Sequence, residues 1–210
     1  MKISPFTRFS SIKLLLVFLT TLAAAQGYDN KGPMPEARTF SWPQGKKMAL
    51  TLTFDDARLS QIDKGMAGVD KYDVKCTFYV SPDLMKERTD GWKNAVKRGH
   101  DIGNHSMQHP CTGNFTWSRG RALENYSLPE MAGDLDEASN EIESVLGVKT
   151  VSFAYPCGQT FVGRGVQVRS YVPLISSRFS TGRTWLNEAP NDPAFCDLSQ
   201  LAAMELDGKS

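Results

Sequence analysis

From residue 48 onward, short apolar runs alternate with segments whose apolar residues recur at helical spacing, and that alternation leaves few folds open. Residues 48–54 are an apolar run that predicts a strand buried on both faces. Residues 59–72 carry Ile62, Met66 and Val69 on one helical face. A second strand is expected at 74–80, a short helix at 91–98 and a short third strand at 100–103. Residues 129–146 give the strongest helical pattern, with Leu135, Ala138, Ile142 and Leu146 on one side. A fourth strand follows at 150–155, ending at Pro156, and a weaker one at 179–183. Strands alternating with helices predict an α/β fold with a parallel sheet covered by helices, either open or closed into a barrel.

The first residues obey a different pattern. Lys2, Arg8 and Lys13 precede an apolar segment, 14–22, which ends in Ala23-Ala24-Ala25. This order reads as a secretory signal peptide over 1–25. The apolar segment is shorter than the roughly 20 residues needed to span a bilayer. The mature chain is therefore expected to be secreted or periplasmic, with no stable membrane span after cleavage. Residues 26–47, polar and rich in Gly and Pro, predict an extended lead-in, which leaves 48–210 as the folded domain. A net charge of +1 offers no basic surface for nucleic acid, and no such partner is expected. Export permits disulfides, and Cys76, Cys111, Cys157 and Cys196 allow three full pairings that the sequence does not separate. Cys111 and Cys157 each follow a proline in loops close to the site described next, so a bridge between them is one open pairing. The absence of Cys-x-x-Cys argues against a thiolate metal site. Three Asn-x-Ser/Thr triplets, at Asn104, Asn114 and Asn125, read as incidental.

In parallel α/β folds the ligand site lies beyond the carboxyl ends of the strands. Asp55 and Asp56 follow the first strand, His105 and His109 the third, and Tyr155-Pro156-Cys157-Gly158 the fourth. Histidines at i and i+4 on a helical turn could hold one metal ion through their imidazoles, and a carboxylate would complete a three-ligand set with an open position for water. The second aspartate would then be free to take a proton as general base. An Asp pair after a strand also serves as a helix N-cap, and His-x-x-x-His alone is a weak signal. Their joint occurrence at successive strand ends is what points to a site. His100 has no partner at a useful spacing and reads as structural.

The segments "TFDD", "HSMQH" and "FAYPCG", in that order, resemble the first three motifs of the polysaccharide deacetylase family, the NodB-homology carbohydrate esterases. The resemblance implies a distorted β/α barrel, and the few strands counted above leave it incomplete. It also implies a divalent metal, commonly Zn2+, with Co2+ or Ni2+ compatible with the same donors, and removal of acetyl groups from an acetylated polysaccharide or oligosaccharide. By the same resemblance Asp55 is the catalytic base, Asp56, His105 and His109 hold the metal, and the Cys157 N–H, with Tyr155 and Pro156 beside it, helps to bind the oxyanion or substrate. The sequence departs from the pattern in two places. Ala154 and Cys157 stand where the family has an arginine and an aromatic, and no histidine follows His109 to protonate a leaving amine. The chain is accordingly expected to be truncated at its C-terminus. Three readings follow: N-deacetylation of N-acetylglucosamine glycans, O-acetyl esterase activity of the xylan type, or a non-catalytic relative that keeps the metal cage. Phe115, Trp117, Phe161, Tyr171 and Trp185, with Arg119, Arg121, Arg164 and Arg169, fall in loops that could shape a glycan groove or anchor themselves in the core.

Overall fold

A computed structural model of the protein describes residues 39–187 and 189–206. The signal-peptide reading of 1–25 lies outside them, as does the lead-in apart from 39–47, which is largely exposed and holds one 3-10 turn at Pro43–Gly45. The chain then runs β1 (Thr53–Asp55), α1 (Met66–Lys71, entered through a π turn), β2 (Thr77–Val80), α2 (Pro82–Lys86), α3 (Thr89–Lys97) and β3 (Asp101–Asn104). After a long loop come α4 (Leu128–Leu146), β4 (Ser152–Ala154), a small hairpin of β5 (Phe161–Val162) and β6 (Arg169–Ser170), α5 (Val172–Arg178) and β7 (Thr181–Arg183). Five strands form one sheet in the order β1-β2-β3-β4-β7, each pair parallel. The sheet curls into a half-barrel with helices outside it, the incomplete barrel expected from the sequence. No helix of the described residues is long and apolar enough to cross a membrane.

Helix α4 shows how the sequence sets the frame. Ser127 and Glu130 form a reciprocal capping box at its start, and Gly147 ends it in the left-handed region at φ 72°. Both devices satisfy backbone groups that a helix end leaves open. Its buried stripe serves two cores at once. Met131 and Leu135 pack with Phe153, Tyr155, Tyr171 and Ile175, while Ile142 and Leu146 pack with Phe78, Val80, Trp92 and Ile102. One helix thus ties β2 and β3 to β4 and α5, which fixes the strand ends relative to one another.

The structure corrects three expectations. Only the end of 48–54 is strand: Met48 and Leu50 are 75% and 81% exposed, because β1 is an edge strand whose one ladder partner among the described residues is β2. Helix α2 and helix α5 were not anticipated, since five and seven residues are too few to show a period. The segment 158–171, expected as a plain loop, contains the β5–β6 hairpin.

Candidate active site

Asp55 and Asp56 sit where β1 ends, and the backbone parts them. Asp56 and Ala57 both have positive φ, 75° and 57°, so the chain turns sharply and the two carboxylates point to different neighbours. Asp56 Oδ1 lies 3.3 Å from His109 Nε2 and 3.5 Å from His105 Nε2, while Arg58 donates to Oδ2 at 3.1 Å. Hydrogen bonding from His105 and His109 holds the Asp56 carboxyl far below the usual carboxylate range, against the opposing effect of burial. Asp55 instead accepts from the Arg183 guanidinium, and its backbone carbonyl accepts from Gln61 Nε2 at 2.6 Å.

The histidines do not lie on a helical turn, as their spacing suggested. Residues 105–110 form an irregular turn with positive φ at Ser106 (65°) and His109 (47°). Side chains hold this turn in place. Asn104 Oδ1 accepts from the Ser106 N–H at 2.6 Å, and the Ser106 hydroxyl accepts from the His109 N–H at 3.0 Å. From α4, the buried Asp134 carboxylate accepts from the Met107 and Gln108 N–H groups at 2.7 and 3.1 Å. Desolvation pushes the Asp134 carboxyl upward, with those two amides opposing it. Asn104 is 0% exposed, so its glycosylation triplet is structural.

His105 Nδ1 is 2.9 Å from the Ala154 carbonyl, which can only accept, so Nδ1 carries a proton and Nε2 is the ring nitrogen aimed at Asp56. His109 Nε2 faces the same oxygen. The three donor atoms lie within 4.8 Å of one another. A zinc-like ion bound at about 2.1 Å by nitrogen and oxygen sets tetrahedral edges of about 3.4 Å, and the 3.3 and 3.5 Å separations match that cage. The donor set therefore fits a divalent cation.

The fourth-strand segment closes the rim. Pro156–Gly158 is a single turn with Cys157 at φ 52°, and a disulfide joins Cys157 to Cys111. Among the described residues no acceptor meets the Cys157 N–H. Tyr155 does not line the site: its ring is 1% exposed in the core and its hydroxyl donates to the Ser199 carbonyl at 2.8 Å. Pro156 is likewise buried, so what the segment turns to the rim is its backbone. His100 is structural, accepting from the Cys76 N–H and facing Asp70 at 3.3 Å. Of the loop aromatics, Tyr171 is buried, whereas Phe115 and Trp117 are 41% and 56% exposed, stacked on each other, with Trp117 6.1 Å from the His109 ring. Trp185 is 38% exposed and packs over Gly158, where a Cβ would lie 2.9 Å from the Trp185 nitrogen.

Arg183 was missed from the sequence. It is 8% exposed, donates to Asp55 and to the Thr184 carbonyl, and lies 4.9 Å from the Tyr79 ring centroid. Its signal was positional: it ends the strand expected at 179–183, on the same rim as the other site residues.

Comparison with known proteins bears on the family and the fold. The family described as polysaccharide deacetylase matches residues 42–168, more than half of the chain. The uncharacterized protein YlxY of Bacillus subtilis is 31% identical over 97 residues, 46% of this chain and 27% of that protein. The peptidoglycan-N-acetylglucosamine deacetylase PgdA of Listeria monocytogenes is 32% identical over 78 residues, 37% of this chain and 15% of its own length. The chain thus spans well under two thirds of these curated relatives. The deacetylase PplD of Streptococcus pyogenes, solved with acetate, shares the fold at a TM-score of 0.57 and 19% identity, over 73% of this chain and 62% of that one. Motif order, half-barrel and family match together place the chain in the polysaccharide deacetylase family.

Proposed function

We propose that this protein is an exported, metal-dependent hydrolase that removes acetyl groups from a carbohydrate polymer, with N-acetylglucosamine glycans as the first substrate class. The observation that carries the reading is the convergence of Asp56, His105 and His109 at tetrahedral edge distances, with Asp55 directed elsewhere by Arg183. A divalent cation held by those three donors, Zn2+ first and Co2+ or Ni2+ by the same donor chemistry, supplies Lewis acidity to the acetyl carbonyl and to water. Every other part belongs to the chain. Asp56 has its remaining oxygen fixed by Arg58 and so presents Oδ1 in one orientation. The Ala154 carbonyl keeps the His105 proton on Nδ1. Asp55 is the general base that takes the proton of the attacking water, and the Arg183 guanidinium keeps its carboxylate aimed. The Cys157 N–H is the donor for the developing oxyanion. Phe115, Trp117 and Trp185 offer exposed ring faces to the pyranoses on either side of the reacting unit.

Likeness to the Listeria deacetylase supports the amide substrate. The same donor set and the Cys157 N–H would polarise an O-acetyl ester carbonyl as well as an amide one, so an O-acetyl ester is the second substrate class. Acetate release from acetylated chitooligosaccharides and acetylated xylan, measured on the purified chain with Zn2+ or Co2+ and beside Asp55→Asn, decides between them. Release from either that Asp55→Asn lowers by about 10²- to 10⁴-fold supports the reading. No release from both substrates by a chain that binds the cation overturns it in favour of a non-catalytic glycan binder.

A further inference from the structure

The Cys111–Cys157 bridge lies against the imidazole of His109, and the three side chains form a cluster separate in chemistry from the carboxylate site. His109 turns Nε2 toward Asp56 and Nδ1 toward Cys111 Sγ, 3.8 Å away. The Cys111 and Cys157 sulfurs and a His109 ring nitrogen all lie within 4.8 Å of one another. We propose that Cys111, Cys157 and His109 Nδ1 form a second metal site, a thiolate–imidazole site for a thiophilic divalent cation such as Zn2+ or Cd2+, which the disulfide masks and reduction opens. The proposal uses His109 in common with the centre above but does not depend on that centre's activity.

Geometry is the first argument. Zinc bound at about 2.3 Å to sulfur and about 2.0 Å to nitrogen sets a tetrahedral S···N edge of about 3.5 Å and an S···S edge of about 3.8 Å. The His109–Cys111 separation of 3.8 Å is already close to the first. The second requires the sulfurs only to move apart to ordinary contact, and the Cα–Cα distance of 5.9 Å allows that by side-chain rotation.

The second argument is that both backbone segments are held without the S–S bond. The Ser118 hydroxyl donates to the Cys111 carbonyl at 2.8 Å and accepts from the Cys111 N–H at 3.1 Å. On the other side, the Gly158 N–H donates to the Tyr155 carbonyl at 2.8 Å and the Gln159 N–H to the Pro156 carbonyl at 3.1 Å. Reduction thus frees two sulfurs on a standing frame. Sequence spacing alone could not show this site, because its cysteines are 46 residues apart.

A dithiol reductant attacks the more exposed sulfur, Cys157, and gives up two electrons and two protons. Its own sulfurs join in a disulfide while the Cys111–Cys157 bond breaks to two thiols. Cation binding then releases the two thiol protons to solvent.

The test is a Co2+ titration of the full chain carrying Cys196→Ala, which removes the other partly exposed thiol, before and after dithiol reduction and removal of the reductant under argon. The expected result is a sulfur-to-cobalt charge-transfer band that reaches a plateau within two equivalents per chain in the reduced form, because the carboxylate centre also takes Co2+. It is absent from the oxidised form, lost in Cys157→Ser and retained in Asp56→Asn. Three results would each overturn the proposal: a reduced chain that keeps its near-ultraviolet circular dichroism yet shows no band, a band unchanged by Cys157→Ser, or a chain that loses its tertiary signal on reduction.

Discussion

Arg183, at the end of β7, donates a hydrogen bond to Asp55, at the end of β1, although these strands are opposite edges of the five-stranded sheet. In a flat sheet, four interstrand steps of about 4.8 Å would hold those edges about 19 Å apart. The contact exists because the sheet curls, and Gly103 on β3 is one reason it can. A Cβ there would lie 2.4 Å from the Tyr79 ring and 2.7 Å from the Ser152 hydroxyl, so the missing side chain lets the inner faces of β2 and β4 close over β3. Asp55 and Arg183 should therefore act as a unit. Arg183→Met is expected to lower kcat about 10- to 100-fold, and Asp55→Asn with Arg183→Met should be little worse than Asp55→Asn alone, as a double-mutant cycle of acetate release would read. Independent, additive losses would separate the two residues.

Asp134 positions the histidine turn without facing a substrate. Asn in its place keeps one acceptor and turns an N–H₂ toward a backbone N–H, so one buried amide loses its partner. The expected cost is about 1–3 kcal/mol of stability, together with a 10- to 100-fold weaker hold on the cation. Thermal denaturation and metal-competition titration of Asp134→Asn check the two effects separately.

Gly182 supports Arg183 from the neighbouring position. An added Cβ would sit 2.6 Å from the Ser199 backbone oxygen and 2.8 Å from Ile175. Backbone cannot yield as a flexible side chain can, so Gly182→Ala should cost about 2–3 kcal/mol and lower the melting temperature by about 4–10 °C in calorimetry.

The stacked Phe115 and Trp117 faces give a separate prediction about polymer binding. Trp117→Ala is expected to raise KM for acetylated oligosaccharides about tenfold with kcat held, the pattern of lost uniform binding. A fall in kcat at unchanged KM would assign Trp117 to the reacting centre instead.

Asp136 supplies the pH dependence. The Arg178 guanidinium, bonded to it at 2.7 and 3.0 Å, holds its carboxyl below the usual range. A folded pKa below the unfolded one means that the stabilisation is present above the unfolded value of about 3.9 and is lost as pH falls through the folded value. With 54% of the Asp136 side chain exposed, screening limits the pair to about 0.5 kcal/mol. Asp136→Asn should melt about 1–2 °C below the native chain at pH 7, and the gap should close in more acidic buffer.

Strand-helix alternation, the α4 pattern with its Ser-x-x-Glu cap and closing Gly147, and the placement of carboxylates and histidines after strands were all determined by the sequence itself. These are local properties, set by periodicity and by backbone groups within a few residues of one another. Tertiary structure alone decided the rest. The histidine turn takes its shape from Ser106 and His109 at positive φ, held by Asn104 and by Asp134 from a helix some 27 residues on. Arg183 reaches Asp55 across 128 residues of sequence, and Cys157 pairs with Cys111 rather than with Cys76 or Cys196. Tyr155, expected at the rim, turned inward because Gly182 leaves room for its ring beside β7. Each of these depends on how the sheet curls and which side chains fill its two cores, and no spacing along the chain encodes that.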